Sequence, residues 1–195
     1  MEGMAPEPRS VRSDAARNHR QLLDAAMELV VSGGADALTM DELARRACVG
    51  KGTVFRRFGS RAGLMQAVLD RAEQDFRAAY LSGPPPLGPG AGPAARLLAF
   101  GLARLASLEL NGELVRAAEP DHRSRYFHPA RQEAQRHLAQ LLAGAGTVPD
   151  PELAAYQLLA FLDAGLFLHL RRDSGMGTGR LEKGWQDLVS ALLRD

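Results

Sequence analysis

The stretch LARRACVGKGTVFRRFGSRAGL, residues 43–64, decides how we interpret this chain. A short helical pattern breaks at Cys48-Val49-Gly50, and a second short helical pattern follows from Lys51 to about Phe58. Two short helices joined by such a turn form a helix-turn-helix, and the second helix of that motif can enter the major groove of DNA. The spacing therefore predicts a helix-turn-helix near residues 39–58.

The charge of this region supports the same interpretation. From Leu43 to Leu69 the sequence contains no acidic residue, although the net charge of the whole chain is only +1. Contact with DNA phosphates needs such a local positive surface. An ordinary pair of short helices with a solvated basic face is the alternative that spacing and charge leave open. The basic residues are Arg45, Arg46, Lys51, Arg56, Arg57 and Arg61.

Capping signals define the neighbouring helices. Thr39 followed by Glu42 predicts a capping box at the start of the first short helix. Ser60 can cap a longer helix from Arg61 to about Leu81, and Gly33-Gly34 is expected to end a first helix that begins at about Asp14. No convincing strand pattern occurs, so we predict an all-α fold. Further helices are predicted at about 94–109, 111–119, 129–144, 151–172 and 181–194.

Composition excludes several classes of protein. Hydrophobic residues make up 46 % of the sequence, which is enough for a packed core, and the single cysteine, Cys48, excludes a disulfide within the chain. No apolar run precedes Gln21, so we expect no secretory signal. The most apolar stretch, Leu153–Leu170, is interrupted by Gln157 and Asp163, and we therefore expect no membrane span and a cytoplasmic protein.

The residues from Leu43 to Leu64 resemble the N-terminal domain of the TetR (tetracycline repressor) family. The resemblance extends back through Leu38–Leu43 and Ala25–Leu29 and covers about residues 14–70. Beyond residue 75, only the helical pattern and the length agree with the family. The resemblance implies an all-α homodimer with an N-terminal helix-turn-helix head and a larger C-terminal helical body for ligand binding and dimerisation.

The resemblance also implies which residues contact DNA. Thr39 and Met40 are expected near phosphate, Arg61 is expected to contact phosphate from the next helix, and the reading surface is expected to lie within Lys51–Arg57. Three positions depart from the family pattern. Cys48 replaces the usual turn glycine, which is expected to strain the turn slightly. Gly50 replaces a common capping serine or threonine, and Phe55 replaces a common tyrosine and lacks its hydroxyl group. The predicted DNA-binding residues are Thr39, Met40, Lys51, Gly52, Thr53, Phe55, Arg56, Arg57 and Arg61.

The body is expected to hold a small-molecule effector, whose identity the sequence does not give, in a largely apolar site. The simpler interpretation of each apolar stripe is an ordinary core. No catalytic motif or cofactor site is predicted. No metal site is predicted either, since His122, His128 and His137 match no standard metal-ligand spacing. The candidate effector residues are Leu98, Leu102, Leu105, His122, Tyr126, His137 and Leu141.

The segment near 151–170 is apolar almost all round, and such a helix needs a partner on each side. By the family resemblance, this segment and the last helix form a four-helix interface between two subunits. An intramolecular core is the alternative for Trp185. The predicted interface residues are Tyr156, Leu159, Leu166, Phe167, Trp185, Leu188 and Leu192.

Two hypotheses for function follow. The first is a ligand-responsive regulator, a repressor released from double-stranded operator DNA by a small molecule. The second is an all-α ligand-binding protein or enzyme without a DNA role, suggested by the histidines and tyrosine of 122–137. The predicted domain limits are a disordered arm at 1–13, a DNA-binding domain at 14–60, a connecting helix at 61–81, a Pro/Gly-rich loop at 82–93, and an effector-binding and dimerisation domain at 94–195.

Overall fold

A computed structural model of the chain describes residues 8–118 and 128–194, and the side chains of residues 17–115 and 128–194. These residues form helices without a β-strand, which confirms the predicted all-α class. The helices are α1 (Pro8–Ala37), α2 (Met40–Arg46), α3 (Lys51–Phe58), α4 (Arg61–Ser82), α5 (Pro93–Ala118), α6 (Pro129–Ala145), α7 (Pro151–Phe161), α8 (Ala164–Leu168) and α9 (Thr178–Leu192), with a π-helical turn at His169–Asp173.

The chain divides into two compact units between Arg71 and Ala72, inside α4. We call the described residues up to Arg71 the head and those from Ala72 onward the body. Residues 83–92, within the Pro/Gly-rich loop predicted at 82–93, connect α4 to α5 by turns. Arg96 holds this connection, since its guanidinium donates to the carbonyl oxygens of Tyr80 (3.0 Å) and Leu87 (3.5 Å).

The first helix is longer than predicted at its N-terminal end. It begins at Pro8, so residues 8–13, predicted as part of a disordered arm, are helical. Proline is well tolerated in the first turn of a helix, where its missing N–H is not needed. At the other end the helical conformation breaks at Gly34, which has φ 70° and ψ −171°, and a short helical piece continues to Ala37. The break lies where the Gly33-Gly34 signal predicts the end of the first helix.

The head has a small core to which every helix contributes. Helix α1 buries an apolar stripe, and α2, α3 and α4 cover it with side chains that are less than a tenth exposed. Full burial of a leucine or valine side chain contributes about 1.5–3 kcal/mol. This core fixes the position of α3 relative to α1 and α2. The buried side chains include Leu22, Ala26, Val30, Leu38, Leu43, Val54, Leu64 and Val68.

The structure corrects one predicted break in the body. Residues 94–109 and 111–119 were predicted as separate helices, but α5 continues from Pro93 to Ala118. Asn111 and Gly112 weaken a helix without ending it. A Cβ atom at Gly112 would lie 3.5 Å from Leu168 Cδ2, so the glycine sits where α8 packs closely on α5.

The structure also divides a segment that was predicted as one helix. Residues 151–173 are long and apolar enough to cross a membrane by length and composition alone. Helix α7 nevertheless ends at Phe161, and the Asp163 carboxylate caps α8 by accepting the Leu166 N–H at 3.1 Å. Leu158 and Phe167 from the two parts are buried in the body core.

Helix α9 closes the body core around Trp185. The indole is completely buried, and its Nε1–H donates to the carbonyl oxygen of Leu98 at 3.1 Å. A Cβ atom at Gly101 would lie 1.8 Å from the indole ring, so only glycine lets α5 and α9 approach this closely. Trp185 is therefore a core residue of one chain.

Candidate nucleic-acid interface

The turn between α2 and α3 contains residues 47–50. The Val49 N–H donates to the Ala44 carbonyl oxygen at 3.0 Å, which folds the turn back on α2. Cys48 has φ 51°, a left-handed conformation that glycine adopts without steric cost. The backbone strain expected from the departure at Cys48 is confirmed.

Thr39 is the N-cap of α2, and its Oγ1 accepts the Glu42 N–H at 3.1 Å. The second half of the predicted capping box is absent, because the Glu42 carboxylate holds Arg45 instead, with Nε at 2.9 Å. The side-chain hydrogen bond to Arg45 lowers the pKa of Glu42. Thr39 is exposed, and its hydroxyl proton remains available to donate to a phosphate oxygen.

Helix α3 presents Arg56 away from the head core. Val54 is fully buried, and Arg56 lies two residues later, about 200° further round the helix. Its guanidinium is exposed and has neither a hydrogen bond nor an ion pair among the described residues. Arg56 is thus the cation of α3 best placed to reach DNA.

Two small residues flank Arg56 on this face. A Cβ atom at Gly52 would meet nothing within 4 Å, so packing in the head does not require this glycine. Its effect is to leave the backbone of α3 open to a close approach. Thr53 is half-buried, and its N–H donates to the carbonyl oxygen of Gly50 at 2.9 Å. Gly50 caps α3 without a side-chain hydrogen bond, as its departure from the family pattern predicts.

Phe55 is an exposed aromatic residue on α3, with 42 % of its surface accessible. The Lys51 ammonium lies 5.8 Å from the centre of its ring, within the range of a cation–π contact. Lys51 Nζ also lies 2.6 Å from Asp41 Oδ1. The two residues therefore form one amphipathic patch at the start of the helix.

Several cations of the acid-free stretch from Leu43 to Leu69 form ion pairs with acidic side chains from outside it. Arg46 pairs with Glu28 of α1 at 2.8 Å, while Arg45 and Lys51 pair with Glu42 and Asp41 of α2. A window of sequence could not reveal these partners, since Glu28 lies well upstream. Exposed ion pairs of this kind contribute only about 0–1 kcal/mol each. Phosphates can therefore replace the carboxylates at low cost.

Arg57 is directed toward α1. Its Nε–H donates to His19 Nδ1 at 2.8 Å, and the His19 ring lies 5.7 Å from that of Phe58. Burial and the nearby Arg57 charge lower the pKa of His19, which favours the neutral ring that this hydrogen bond needs. Arg57 thus joins α3 to α1, and its predicted contact with DNA stays a prediction.

Arg61 also contacts the protein itself. Its Nε–H and Nη2–H donate to the carbonyl oxygens of Leu38 and Ala35, each at 2.9 Å. These carbonyls lie at the C-terminal end of α1, where backbone oxygens lack helical partners. Arg61 thus caps α1, and its predicted phosphate contact stays a prediction. No local pattern predicts the cap, because it depends on how α4 packs.

The side chain of Met40 is also unavailable to DNA, since it is 6 % exposed and belongs to the head core. A phosphate contact at this position is limited to the Met40 N–H in the first turn of α2. Such unpaired N–H groups at a helix start favour anions. The predicted site residues that are exposed are Thr39, Lys51, Gly52, Phe55, Arg56, Arg57 and Arg61.

In the body, the structure brings part of the predicted effector set together with aromatic residues. His137 of α6 is buried, and its ring centre lies 4.6 Å from that of Tyr80 and 5.9 Å from that of Phe100. Sequence reasoning missed Phe76, Tyr80 and Phe100, although the spacing of the first two along α4 was a usable signal. Leu105 and Leu141 are buried, Leu98 and Leu102 are half-buried, and His122 and Tyr126 lie outside the described residues.

The predicted dimer residues fall into two groups. Tyr156 and Leu166 are exposed, by 52 % and 39 %, together with Leu153, which sequence reasoning missed. Leu159, Phe167 and Trp185 are less than a tenth exposed within one chain, so their side chains do not face a second subunit. Burial in the body core corrects the prediction for these three. Leu188 and Leu192 are partly buried against the same core.

The family model of bacterial regulatory proteins, tetR family, matches residues 22–68. A relative from Bacillus subtilis (strain 168), the uncharacterized HTH-type transcriptional regulator YvkB, is 42% identical over 53 residues, which are 27% of this chain and 28% of that protein. The HTH-type transcriptional regulator SrpR of Pseudomonas putida is 34% identical over 61 residues, 31% of this chain and 29% of that protein. The alignments thus span less than a third of these relatives.

Two solved structures resemble the fold of the chain over most of its length. A transcriptional regulator from Rhodococcus sp. Rha1 has a TM-score of 0.66 at 23% identity, over 89% of this chain and 95% of that one. AibR, solved with isovaleryl coenzyme A and operator DNA, has a TM-score of 0.57 at 16% identity, over 90% and 98%. The matched residues 22–68 are those that build the helix-turn-helix, so over this segment the chain is similar to bacterial regulatory proteins of the tetR family, and the solved structures share its all-helical fold.

Proposed function

We propose that this protein is a homodimeric transcriptional repressor that binds operator DNA through α2 and α3 and is released by a small molecule bound in the body. The observation that carries the proposal is the exposed face of α3. It combines an arginine without a partner among the described residues, Arg56, with the uncovered backbone at Gly52 and the exposed Phe55 ring.

Each of these groups suits one part of a DNA site. Arginine binds guanine O6 and N7 with two parallel hydrogen bonds, and an apolar ring can contact the methyl group of thymine. The Thr39 hydroxyl and the cations of Arg45, Arg46 and Lys51 are suited to phosphates. Their present carboxylate partners are exposed and weakly held, so a phosphate backbone can exchange with them.

The body supports the ligand-responsive part of the proposal. It is a helical unit with its own apolar core and with a buried histidine among aromatic rings. AibR, which has a similar fold, has been solved with both a ligand and operator DNA. By analogy, an effector would favour a dimer whose heads no longer match half-sites about 34–36 Å apart. Binding to chromosomal operators would place the protein in the cytoplasm.

An electrophoretic mobility shift titration on the DNA upstream of the gene tests the DNA-binding part. Arg56→Ala should weaken binding by at least about tenfold, since one bidentate base contact is worth about 1–3 kcal/mol. Arg136→Ala is the matched control, because Arg136 is an exposed arginine of the body. Unchanged affinity of the Arg56 variant would contradict the assignment of the reading face.

The second candidate function is a ligand-binding protein or enzyme without a DNA role, and the buried His137 cluster is the observation that favours it. Salt dependence separates the two. Phosphate contacts predict that affinity falls linearly on a double-logarithmic plot against salt concentration. An affinity that stays flat between 50 and 200 mM salt would favour the second candidate.

A further inference from the structure

The body contains a cluster of rings around one unsatisfied nitrogen. Phe76 and Tyr80 of α4, Phe100 of α5 and His137 of α6 pack with ring centres 4.6–5.9 Å apart. We call these four residues the ring cluster. His137 is 7 % exposed, and its Nε2 has no hydrogen-bond partner among the described residues. Buried polar atoms almost always have a partner, so this nitrogen requires an explanation.

The imidazole of His137 is neutral near physiological pH. Burial, followed by the positive charge of Arg96, lowers the pKa of His137 to about 4. A neutral ring has one N–H donor and one acceptor nitrogen and carries no charge. Nε2 can therefore make a single hydrogen bond to a neutral partner, and it is unsuited to holding a carboxylate by ion pairing.

Four of the charged groups around the ring cluster are paired with one another. Arg77 pairs with Glu133, and Arg104 pairs with Glu73. The Arg104 guanidinium also lies 5.5 Å from the centre of the Phe76 ring. The Arg96 guanidinium has no carboxylate partner among the described residues, but it already donates to the carbonyl oxygens of Tyr80 and Leu87. The cluster thus offers aromatic surface and one hydrogen bond.

We infer that the ring cluster recognises the effector, and that the effector is a neutral aromatic molecule whose hydroxyl or N–H group hydrogen-bonds Nε2 of His137. The inference rests on the ligand-responsive body of the proposed function and narrows the class of ligand. Aromatic ligands stack well on Phe and Tyr rings. Because a buried nitrogen without a partner is unfavourable, a ligand that supplies the missing hydrogen bond should bind more tightly than one that does not.

The test compares two compounds of nearly equal shape by isothermal titration calorimetry on the full chain. 4-Ethylphenol carries the hydroxyl group, and 4-ethyltoluene carries a methyl group in its place. We expect 4-ethylphenol to bind at least about tenfold more tightly, which corresponds to about 1.4 kcal/mol. Equal affinity, or no binding of either compound at millimolar concentration, overturns the inference. Tighter binding of 4-ethylbenzoate, an anion of similar size, also overturns it.

Variants at His137 locate the hydrogen bond. His137→Phe keeps an aromatic ring and removes both nitrogens, so it should lose the preference for 4-ethylphenol. His137→Gln keeps a hydrogen-bonding group and should retain part of that preference. A preference unchanged in His137→Phe overturns the assignment. The comparison of the two compounds on the unaltered protein keeps the test decisive if a variant does not fold.

Operator binding measured on the same preparations separates this inference from the proposed function. If the protein binds operator DNA but binds 4-ethylphenol and 4-ethyltoluene equally, the inference is overturned and the proposed function is not. A protein that binds 4-ethylphenol through His137 but does not bind DNA overturns the proposed function and leaves the ring cluster as a ligand site.

Discussion

Cys48 adopts a backbone conformation that its side chain disfavours. With φ 51° it lies in the left-handed region, where a Cβ atom costs roughly 1–2 kcal/mol. Glycine removes that cost but loses more entropy on folding. We therefore expect Cys48→Gly to raise the free energy of unfolding by about 1 kcal/mol in chemical denaturation.

Cys48→Ala is the matched control, because alanine keeps the Cβ atom and removes only the thiol. It should leave the free energy of unfolding nearly unchanged, since Cys48 is exposed. An equal gain in both variants would show that the thiol, rather than the backbone conformation, is the source of the cost.

The lowered pKa of His137 predicts that the folded protein loses stability in mild acid. Its pKa is lowered to about 4 in the folded chain, against 6.5 in an unfolded one. Above pH 6.5 both states are neutral and the group contributes nothing to the pH dependence. As the pH falls from 6.5 toward 4, the unfolded chain binds a proton that the folded chain resists, so stability falls. The charged groups near the ring are Arg96 and Glu133, and the hydrogen bond to Arg77 lowers the pKa of Glu133.

The difference between the two pKa values corresponds to roughly 3 kcal/mol lost by pH 4. Urea denaturation at several pH values should show this loss in the unaltered protein and not in His137→Phe. His169→Gln is the control, because His169 is exposed and pairs with Asp173. The same pH dependence in unaltered protein and His137→Phe would contradict a neutral buried imidazole.

At the scale of helices, Arg61 joins the start of α4 to the end of α1. Its guanidinium bonds two carbonyl oxygens at once, and a lysine ammonium lacks that planar fork. Hydrogen bonds from charged groups contribute about 1.5–3 kcal/mol, and lysine should retain part of this. We expect Arg61→Lys to lower the free energy of unfolding of the protein by about 1–2 kcal/mol.

The DNA affinity of the same variant tests whether Arg61 contacts phosphate, as predicted from the sequence, or only caps α1. If the arginine acts only as a cap, Arg61→Lys should leave the salt dependence of operator binding unchanged, since the number of phosphate contacts stays the same. Arg61→Gln removes the charge and serves as the comparison. If the slope of log affinity against log salt concentration is reduced by about one in Arg61→Gln, Arg61 contacts phosphate as predicted from the sequence.

Local signals predicted the helices of the head, and contacts distant in sequence explain what was missed. Gly50, Gly59 and Ser60 bracket α3 and α4, and the structure begins and ends α3 as predicted. The pairing of Arg46 with Glu28 and the capping role of Arg61 arise only when α1 packs against the other helices. A sequence window contains neither fact, so the helices of the head were predicted better than the partners of their side chains.

In the body, sequence patterns located helices but misjudged what interrupts them. Asn111-Gly112 looked like a break and is continuous helix, while Asp163 breaks a segment that looked continuous. The difference lies in tertiary packing, because Gly112 meets Leu168 and Asp163 gains a cap. Apolar periodicity likewise could not separate the buried Trp185 from the exposed Tyr156.

At the scale of the whole molecule, α7 carries an exposed stripe that a single chain leaves uncovered. Leu153 is 55 % and Tyr156 is 52 % exposed, on one side of the helix, and Leu166 of α8 is 39 % exposed. A second copy of the chain would cover these side chains in the proposed homodimer. Burying a charge there would be costly. Tyr156→Glu should therefore convert the dimer to monomers in sedimentation velocity at micromolar concentration.

Loss of the dimer should also weaken operator binding by at least about tenfold, because a monomer contacts one half-site. Leu110→Glu is the matched control, since Leu110 of α5 is 47 % exposed and lies outside this stripe. It should leave both the sedimentation coefficient and the DNA affinity unchanged. A dimer that persists in Tyr156→Glu would place the interface elsewhere on the chain, and monomers in both variants would point to general destabilisation rather than to a contact at α7.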